Sequence, residues 1–176
     1  MRRPLACSFV IAAALGSGAC ATTGAAPRPF PTPAPTVPAP AAPETSAPAR
    51  PSGAALGYSV AGSALGLRGT PYRNGGTDPS GFDCSGLVNY VFAQNGVQVP
   101  RTVTDQYRAG RQVDPAQIEA GDLVFFSTVA PGATHVGISI GGDEFVHAPS
   151  GAGQVRVERL SAAYWASRFV GARRVL

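Results

Sequence analysis

The chain has 176 residues, the length of one ordinary domain with additional segments. Its formal net charge is +4, and all 14 basic side chains are arginines. Residues 54–176 hold ten arginines and nine acidic residues, so the positive charge is not concentrated in the part expected to fold. Because no basic stripe with interleaved aromatic residues is present, the composition argues against a nucleic-acid-binding protein.

Residues 1–19 have the pattern of a secretion signal. Two arginines form a charged start, and the apolar run of residues 5–15 is too short to span a bilayer. Two processing routes fit the small residues that follow. Residues 19–21 match a small-x-small cleavage site, which would release a secreted protein. Alternatively, residues 18–20 resemble a bacterial lipobox, which would place a lipid on Cys20.

A lipid on Cys20 would anchor the protein to a membrane. The lipobox usually has Leu three residues before the Cys, whereas this chain has Ser17. Ala21, rather than Asp, follows Cys20, and by resemblance to enterobacterial sorting this favours the periplasmic face of the outer membrane. Without the lipid, the protein would be secreted or periplasmic. Both routes place it in or beyond the bacterial cell envelope.

Residues 20–53 are expected to form a disordered tether. Ten prolines lie between Pro27 and Pro51, and the segment has no apolar periodicity. Such a segment cannot bury enough apolar surface to fold, and it favours extended polyproline II conformations. The folded domain is therefore predicted to occupy residues 54–176.

Helices are predicted in the first half of this domain. Residues 55–67 form a weak helix interrupted by glycines, and a loop rich in Gly and Pro follows over residues 69–80. Apolar residues then recur with the i, i+3, i+4 spacing of an amphipathic helix that begins at Cys84, with Asp83 as its N-cap. A further short helix is predicted near residues 102–108.

The apolar pattern changes to that of strands after residue 122. Five strands are predicted, at residues 123–127, 136–140, 144–148, 154–159 and 169–175. Helices that precede strands in this way indicate an α+β domain with an antiparallel sheet of about five strands.

Cys84 is the candidate nucleophile. Cys7 is removed with the signal and Cys20 is the candidate for lipidation, which leaves Cys84 as the only free thiol of the exported domain. The macrodipole favours a thiolate on the first turn of a helix, where the pKa of a cysteine can be roughly 3.5–7.5 rather than about 8.5. The alternative is a small buried core residue, the fate of most free cysteines. A lone cysteine in an oxidising compartment has no internal disulfide partner, and this favours the interpretation of Cys84 as a reactive thiol.

The chain has two histidines, His135 and His147, and both lie in the predicted sheet. A catalytic thiol needs a base, and that base needs an orienting partner. A plain two-residue turn at residues 141–142 would point the histidines to opposite faces of the sheet. A three-residue loop over residues 141–143 instead pairs Gly137 with His147, which places both histidines on one face. We predict the second register.

A zinc site is the alternative use of these residues. One cysteine and two histidines would need a fourth ligand such as Asp83 or Asp143, or a vacant position. The sequence contains no CxxC and no HExxH motif. We therefore predict a thiol site without a metal or another cofactor.

Over residues 55–176 the chain resembles the NlpC/P60 family, papain-like cysteine peptidases of the bacterial cell wall. Asn74 departs from the pattern, because many members have Trp there, at the rim of the cleft. Six motifs carry the resemblance, in the order seen in the family: Gly69-Thr70-Pro71-Tyr72-Arg73-Asn74-Gly75-Gly76, Phe82-Asp83-Cys84-Ser85-Gly86-Leu87, Pro100-Arg101-Thr102, Gly121-Asp122-Leu123-Val124-Phe125-Phe126, His135-Val136-Gly137-Ile138 and Val146-His147-Ala148.

The resemblance implies roles for individual residues. Cys84 is the nucleophile, His135 the general base and acid, and His147 the polar residue that orients His135. A second set is expected to bind substrate or to support the tetrahedral intermediate, and it comprises Tyr72, Asp83, Ser85 and Arg101. Each of these four residues also has a structural interpretation. Tyr72 would be a packed aromatic residue and Asp83 an N-cap. Ser85 would be a first-turn residue and Arg101 a solvated arginine.

The resemblance further implies hydrolysis of an amide bond in peptidoglycan peptides through a thioester, without a cofactor. The bond is either the crosslink between D-Ala and diaminopimelate or the stem bond between D-Glu and diaminopimelate. Two alternatives stay open: a non-catalytic module that binds or scaffolds the wall, and an acyltransferase or amidase for another substrate. We expect a monomer.

Overall fold

A computed structural model describes residues 52–176. The predicted signal, Cys20 and residues 20–51 of the predicted tether lie outside these residues. No helix of the described part has both the length and the apolar character needed to cross a membrane. The helices of this part are Gly53–Gly66 (α1), Cys84–Gln94 (α2), Val103–Arg108 (α3) and Ala163–Ala166 (α4). Its strands are Thr77–Asp78 (β1), Gly81–Phe82 (β2), Arg111–Val113 (β3), Leu123–Phe126 (β4), His135–Gly141 (β5), Glu144–His147 (β6), Arg156–Arg159 (β7) and Phe169–Arg174 (β8).

Six strands form one antiparallel sheet in the order β3-β8-β4-β5-β6-β7. The predicted α+β class is confirmed, but the sheet has one strand more than the five predicted. Strand β3 was not predicted, because it is three residues long and only Val113 is buried. Its sequence therefore lacks the alternation of apolar and polar residues that indicates a strand. Strands β1 and β2 form a small hairpin at the end of the segment predicted as a loop, with β2 directly after that segment.

Each face of the sheet carries its own apolar core. Helices α1 and α2 cover one face, where Val136 and Ile138 are fully buried among helix residues such as Leu87. The other face carries a smaller core that contains Val113, Val124, Phe126, Phe145, Trp165 and Ala172. Because successive residues of a strand point to opposite faces, His135 belongs to the smaller core. Its cross-strand partner is Phe126 of that core.

Helix α2 begins where the sequence predicts. The Asp83 side chain is its N-cap and accepts a hydrogen bond of 2.6 Å from the backbone N–H of Gly86. The apolar positions of the helix, Leu87, Val88, Val91 and Phe92, are fully buried. Burial of such a side chain stabilises the fold by about 1.5–3 kcal/mol, so this face fixes the position of Cys84 against the sheet.

The first turn of α2 lies against the loop that precedes it. A Cβ added at Gly86 would lie 2.0 Å from the carbonyl oxygen of Gly76. The same oxygen accepts a hydrogen bond of 3.1 Å from the backbone N–H of Asp83. Only glycine fits at position 86, since the atom in the way belongs to the backbone and cannot rotate aside.

The β5–β6 hairpin has the predicted register. Ile138 pairs with Val146, which places Gly137 opposite His147 and puts both histidines on one face of the sheet. This arrangement brings the two imidazoles into contact across neighbouring strands. The register prediction is therefore confirmed.

The turn of that hairpin differs in detail from the prediction. Gly141 pairs with Glu144, so only two residues lie between the paired positions, and the register shifts between Ser139 and Gly141. Gly141 and Gly142 both have positive φ, at 94° and 61°, a conformation that glycine adopts without strain. A bulge and a tight turn together give the offset that the three-residue loop was predicted to give.

The close approach at Gly86 yields a test of stability. Gly86→Ala is expected to lower the free energy of unfolding by about 1–3 kcal/mol, the usual cost of overpacking a filled site. Gly62→Ala is the matched control, because Gly62 lies in α1 and a Cβ there would meet nothing within 4 Å. Alanine favours a helix over glycine by about 1 kcal/mol, so the control should be as stable as the parent or more so. Urea denaturation measures both; a Gly86→Ala protein with parental stability would contradict the described packing.

Candidate active site

Cys84 is the first residue of α2, and its thiol is half-buried at the start of β5. The backbone N–H groups of Val136, Ser85 and Cys84 itself favour its thiolate. Val136 follows His135 in the chain. The contact therefore places the thiol beside the first residues of β5.

Burial raises the pKa of the Cys84 thiol above its ordinary value, and the neighbouring Asp83 carboxylate raises it further. The backbone N–H groups oppose this shift without reversing it. The prediction of a lowered pKa from the helix start alone was wrong, because it took no account of burial or of the charge of the N-cap. Cys84 is therefore a neutral thiol at neutral pH in the free protein.

Asp83, Ser85 and Arg101 form one hydrogen-bonded group beside the thiol. The Arg101 guanidinium donates to both carboxylate oxygens of Asp83, at 3.1 and 2.6 Å, and to the Ser85 hydroxyl at 2.8 Å. Asp83 is thus both the N-cap and half of a bidentate ion pair. Arg101 is paired rather than freely solvated, with 39% of its side chain exposed. Contact of these residues with substrate stays a prediction.

Tyr72 lies near the thiol of Cys84. Its backbone N–H donates to the carbonyl of Gly153 at 2.8 Å, and it forms an isolated bridge with Phe82, just before the N-cap of α2. Burial, Cys84 and Asp83 together raise the pKa of the Tyr72 phenol. The phenol therefore stays protonated at neutral pH and is available as a hydrogen-bond donor.

His135 and His147 form a buried pair. His135 Nε2 lies 2.8 Å from His147 Nδ1, and the two side chains are 8% and 0% exposed. Burial lowers the pKa of His135 to about 4. Burial, the neighbouring His135 and Arg156 lower the pKa of His147. Both imidazoles are neutral at pH 7, and one N–H is shared between them.

The ring nitrogens of this pair have unequal surroundings. His135 Nδ1 takes part in no hydrogen bond within residues 52–176, while Nε2 is occupied by His147. His147 Nε2 is buried and has no hydrogen-bond partner in the same part of the chain. A proton acceptor on His135 must therefore be Nδ1, with Nε2–H donating to His147.

Two further residues at the site were not found from the sequence. Buried Gln106 donates to the carbonyl oxygens of Ser85 at 3.0 Å and of Pro100 at 2.7 Å, which ties the loop that carries Arg101 to the start of α2. Trp165 stacks on His135 with ring centroids 5.5 Å apart. The one available signal was that Trp165 is the only tryptophan of the chain.

A cavity of about 410 Å³ opens beside the imidazole of His135. Val129 and Tyr164 stand exposed at it, and the carboxylate of Glu158 lies in its wall. The space is large enough for part of a peptide. Among residues 52–176, no three His, Cys, Asp or Glu side chains converge in a metal-binding cluster.

Comparisons with known proteins identify this fold. A crystal structure of an NLP/P60-family protein similar to lipoprotein, from Staphylococcus aureus subsp. aureus Mu50, matches with a TM-score of 0.62 at 36% identity. The match covers 69% of this chain and 41% of that chain. A model of the NlpC/P60 family matches residues 69–174. The chain has the α+β fold of these proteins, and it belongs to the NlpC/P60 family.

The chain is also similar to several curated proteins. Murein DD-endopeptidase MepH of Escherichia coli (strain K12) is 41% identical over 113 residues, which are 61% of this chain and 42% of that protein. Gamma-DL-glutamyl hydrolase of Bacillus subtilis (strain 168) is 35% identical over 120 residues, which are 66% of this chain and 29% of that protein. The chain spans less than half the length of either relative.

The buried histidines make stability depend on pH. The unfolded chain binds protons below the ordinary histidine pKa of about 6.5, whereas folded His135 binds one only near pH 4. The free energy of unfolding should therefore fall between pH 7 and pH 5, with His135 alone contributing about 2 kcal/mol of the decrease. Urea denaturation at the two pH values measures it. The His147→Asn protein should show a smaller decrease in the free energy of unfolding, because one buried histidine is gone. A parent protein that is equally stable at pH 7 and pH 5 would contradict the burial of neutral imidazoles.

Proposed function

We propose that the protein is a cysteine-type peptidoglycan hydrolase that cleaves an amide bond in murein peptides. The observation that carries this proposal is the thiol of Cys84 at the start of a helix, beside a strand whose first residue belongs to the buried His135–His147 pair. The names of the relatives support the substrate class, since one is a murein endopeptidase. A pure binding module has no need of this arrangement.

The reaction begins with a neutral thiol and a neutral imidazole. As the Cys84 sulfur attacks the carbonyl carbon, His135 Nδ1 takes the thiol proton as general base. The new C–S bond forms while the carbonyl π electrons move to the oxygen. The resulting oxyanion is stabilised by backbone N–H groups at the start of α2, including that of Cys84, where helix N–H groups lack an intrahelical partner. The protonated Tyr72 is a further donor.

The intermediate then collapses to a thioester. The C–N bond breaks, and the imidazolium of His135 gives its proton to the leaving amine. His135 then takes a proton from a water molecule as the water oxygen attacks the thioester carbon. When the C–S bond breaks, His135 returns this proton to the Cys84 sulfur, and the carboxylic acid product leaves. Each proton that His135 accepts is thus returned within one cycle, and no cofactor takes part.

His147 holds His135 in the tautomer that this reaction needs. When His147 Nδ1 accepts the Nε2–H of His135, the lone pair of His135 is at Nδ1, where the thiol proton must arrive. The same hydrogen bond strengthens when His135 becomes an imidazolium. His147 is therefore an orienting residue rather than a second base.

Two bonds in murein remain candidates. MepH is named for DD-endopeptidase activity, which corresponds to the crosslink between D-Ala and diaminopimelate. The second relative is named a gamma-DL-glutamyl hydrolase, and a gamma-glutamyl bond also joins D-Glu to diaminopimelate in the stem. We favour the crosslink because the more similar of these two relatives carries that name. Asp83, Ser85 and Arg101 are proposed to contact the peptide beside the scissile bond.

The site of action is proposed to be the cell envelope, with Cys20 as the lipid-bearing residue on the periplasmic side of the outer membrane. The lipobox-like residues 18–20 support this location. Cells grown with labelled palmitate should yield a labelled protein, and Cys20→Ala should abolish the label. A label that persists in Cys20→Ala would contradict a lipid on this residue.

The catalytic proposal is tested by replacing the thiol. Cys84→Ala is expected to lower the rate of muropeptide release from purified peptidoglycan by at least about 1,000-fold, because no other group can form the thioester. Mass spectrometry of the parental products identifies the cleaved bond. Cys20→Ala is the matched control, since it removes a different thiol, and it should retain activity on soluble muropeptides. Hydrolysis at the parental rate by a folded Cys84→Ala protein would end the proposal.

A further inference from the structure

Trp165 of α4 contacts both imidazoles of the histidine pair. Its indole stacks on the ring of His135, with centroids 5.5 Å apart and an interplanar angle of 24°. The same indole meets the ring of His147 edge to face, at 4.8 Å and 89°. Only 6% of Trp165 is exposed. One aromatic side chain therefore covers the hydrogen bond between the two histidines.

The indole itself is fixed on several sides. Its Nε1–H donates a hydrogen bond of 2.7 Å to Glu158 Oε2. The other carboxylate oxygen of Glu158 lies 3.0 Å from Nε of Arg156. Phe126 and Phe145 pack against the indole with ring centroids 4.8 and 5.4 Å away. Trp165 is thus anchored to β7 through its N–H and packed into the small core.

We propose that Trp165, anchored by Glu158, is a positioning residue for the His135–His147 pair. Its stacked face keeps the His135 ring in the orientation that presents Nδ1 to Cys84. The face of an indole also attracts a cation, so Trp165 stabilises the imidazolium that His135 becomes during each acyl-transfer step. The catalytic part of this inference rests on the proposed function, whereas the contact between the rings does not.

The charges around the pair are consistent with this role. Arg156 and Glu158 of β7 form an ion pair, so the carboxylate that accepts the indole N–H is already paired with a cation. On the opposite side, Cys84 of α2 is a neutral thiol. A transient positive charge on His135 therefore finds Nδ1 of His147 and the indole face of Trp165, rather than a free carboxylate, as its nearest stabilising groups among the described residues.

Fluorescence tests the contact without any need for activity. Trp165 is the only tryptophan of the chain, so all tryptophan emission comes from this position. A protonated imidazole stacked on an indole quenches its emission. In the full-length Cys84→Ala protein, we expect emission to fall as the pH drops below 6, with a midpoint near the lowered pKa of His135, which is about 4. His135→Gln should remove or move this step; a step with an unchanged midpoint would overturn the inference.

Enzyme kinetics tests the proposed effect of Trp165 on the His135 imidazolium. Trp165→Leu is expected to lower kcat about tenfold with little change in KM, because the lost interaction acts on the imidazolium rather than on substrate binding. Trp165→Phe should restore part of the rate, since a stacking face returns. Phe169→Leu is the matched control: Phe169 packs on Phe126 in the same small core, with centroids 6.0 Å apart, and should keep the parental kcat.

A second pair of variants covers the case in which Trp165→Leu does not fold. Glu158→Gln keeps an acceptor for the indole N–H and should retain most activity, whereas Glu158→Leu frees the indole and should lower kcat. Equal kcat values for these two proteins, or a folded Trp165→Leu protein with the parental kcat, would overturn the positioning role. Loss of the proposed function itself would appear separately, as hydrolysis that survives Cys84→Ala.

Discussion

The hydrogen bond between His135 and His147 is the interaction on which the site depends. It exists because the β5–β6 hairpin contains a bulge before its tight turn, which places both imidazoles on one face of the sheet, 2.8 Å apart. A shift of register by one residue would send one of them to the face covered by α1 and α2. The positive φ angles of Gly141 and Gly142 therefore help to place the two imidazoles, although neither glycine lies at the thiol.

Burial sets the charge state of the site. It lowers the pKa of both histidines and raises that of Cys84, so the free protein holds a neutral thiol beside a neutral imidazole. In the proposed mechanism, separated charge arises only as the sulfur attacks. The groups that then matter are those already fixed in place: the N–H groups at the helix start, the second histidine and the indole of Trp165. Arg101 neutralises Asp83, the one carboxylate beside the sulfur in the described part of the chain.

Local patterns predicted the elements that carry the site, and tertiary contacts decided the rest. The helix at Cys84 and its N-cap Asp83 follow from apolar spacing and capping, and the register of His147 follows from glycine-rich turn chemistry. The raised pKa of Cys84 was not predicted, because it arises from burial by the sheet. Trp165 was not predicted either, since its contact with His135 joins residues thirty positions apart and leaves no periodic signal. Strand β3 was missed because a short edge strand with one buried residue does not alternate.

The most direct test of this account is the tautomeric state of the two histidines. The chain contains only His135 and His147, so a nitrogen-15 spectrum of selectively labelled histidine, recorded on protein without a polyhistidine tag, reports on this pair alone. At pH 7 we expect two neutral rings, both protonated at Nε2, with the Nε2–H of His135 bonded to Nδ1 of His147. A charged imidazolium at pH 7, or a proton on Nδ1 of His135, would contradict it, because neither state leaves a base to accept the proton of Cys84.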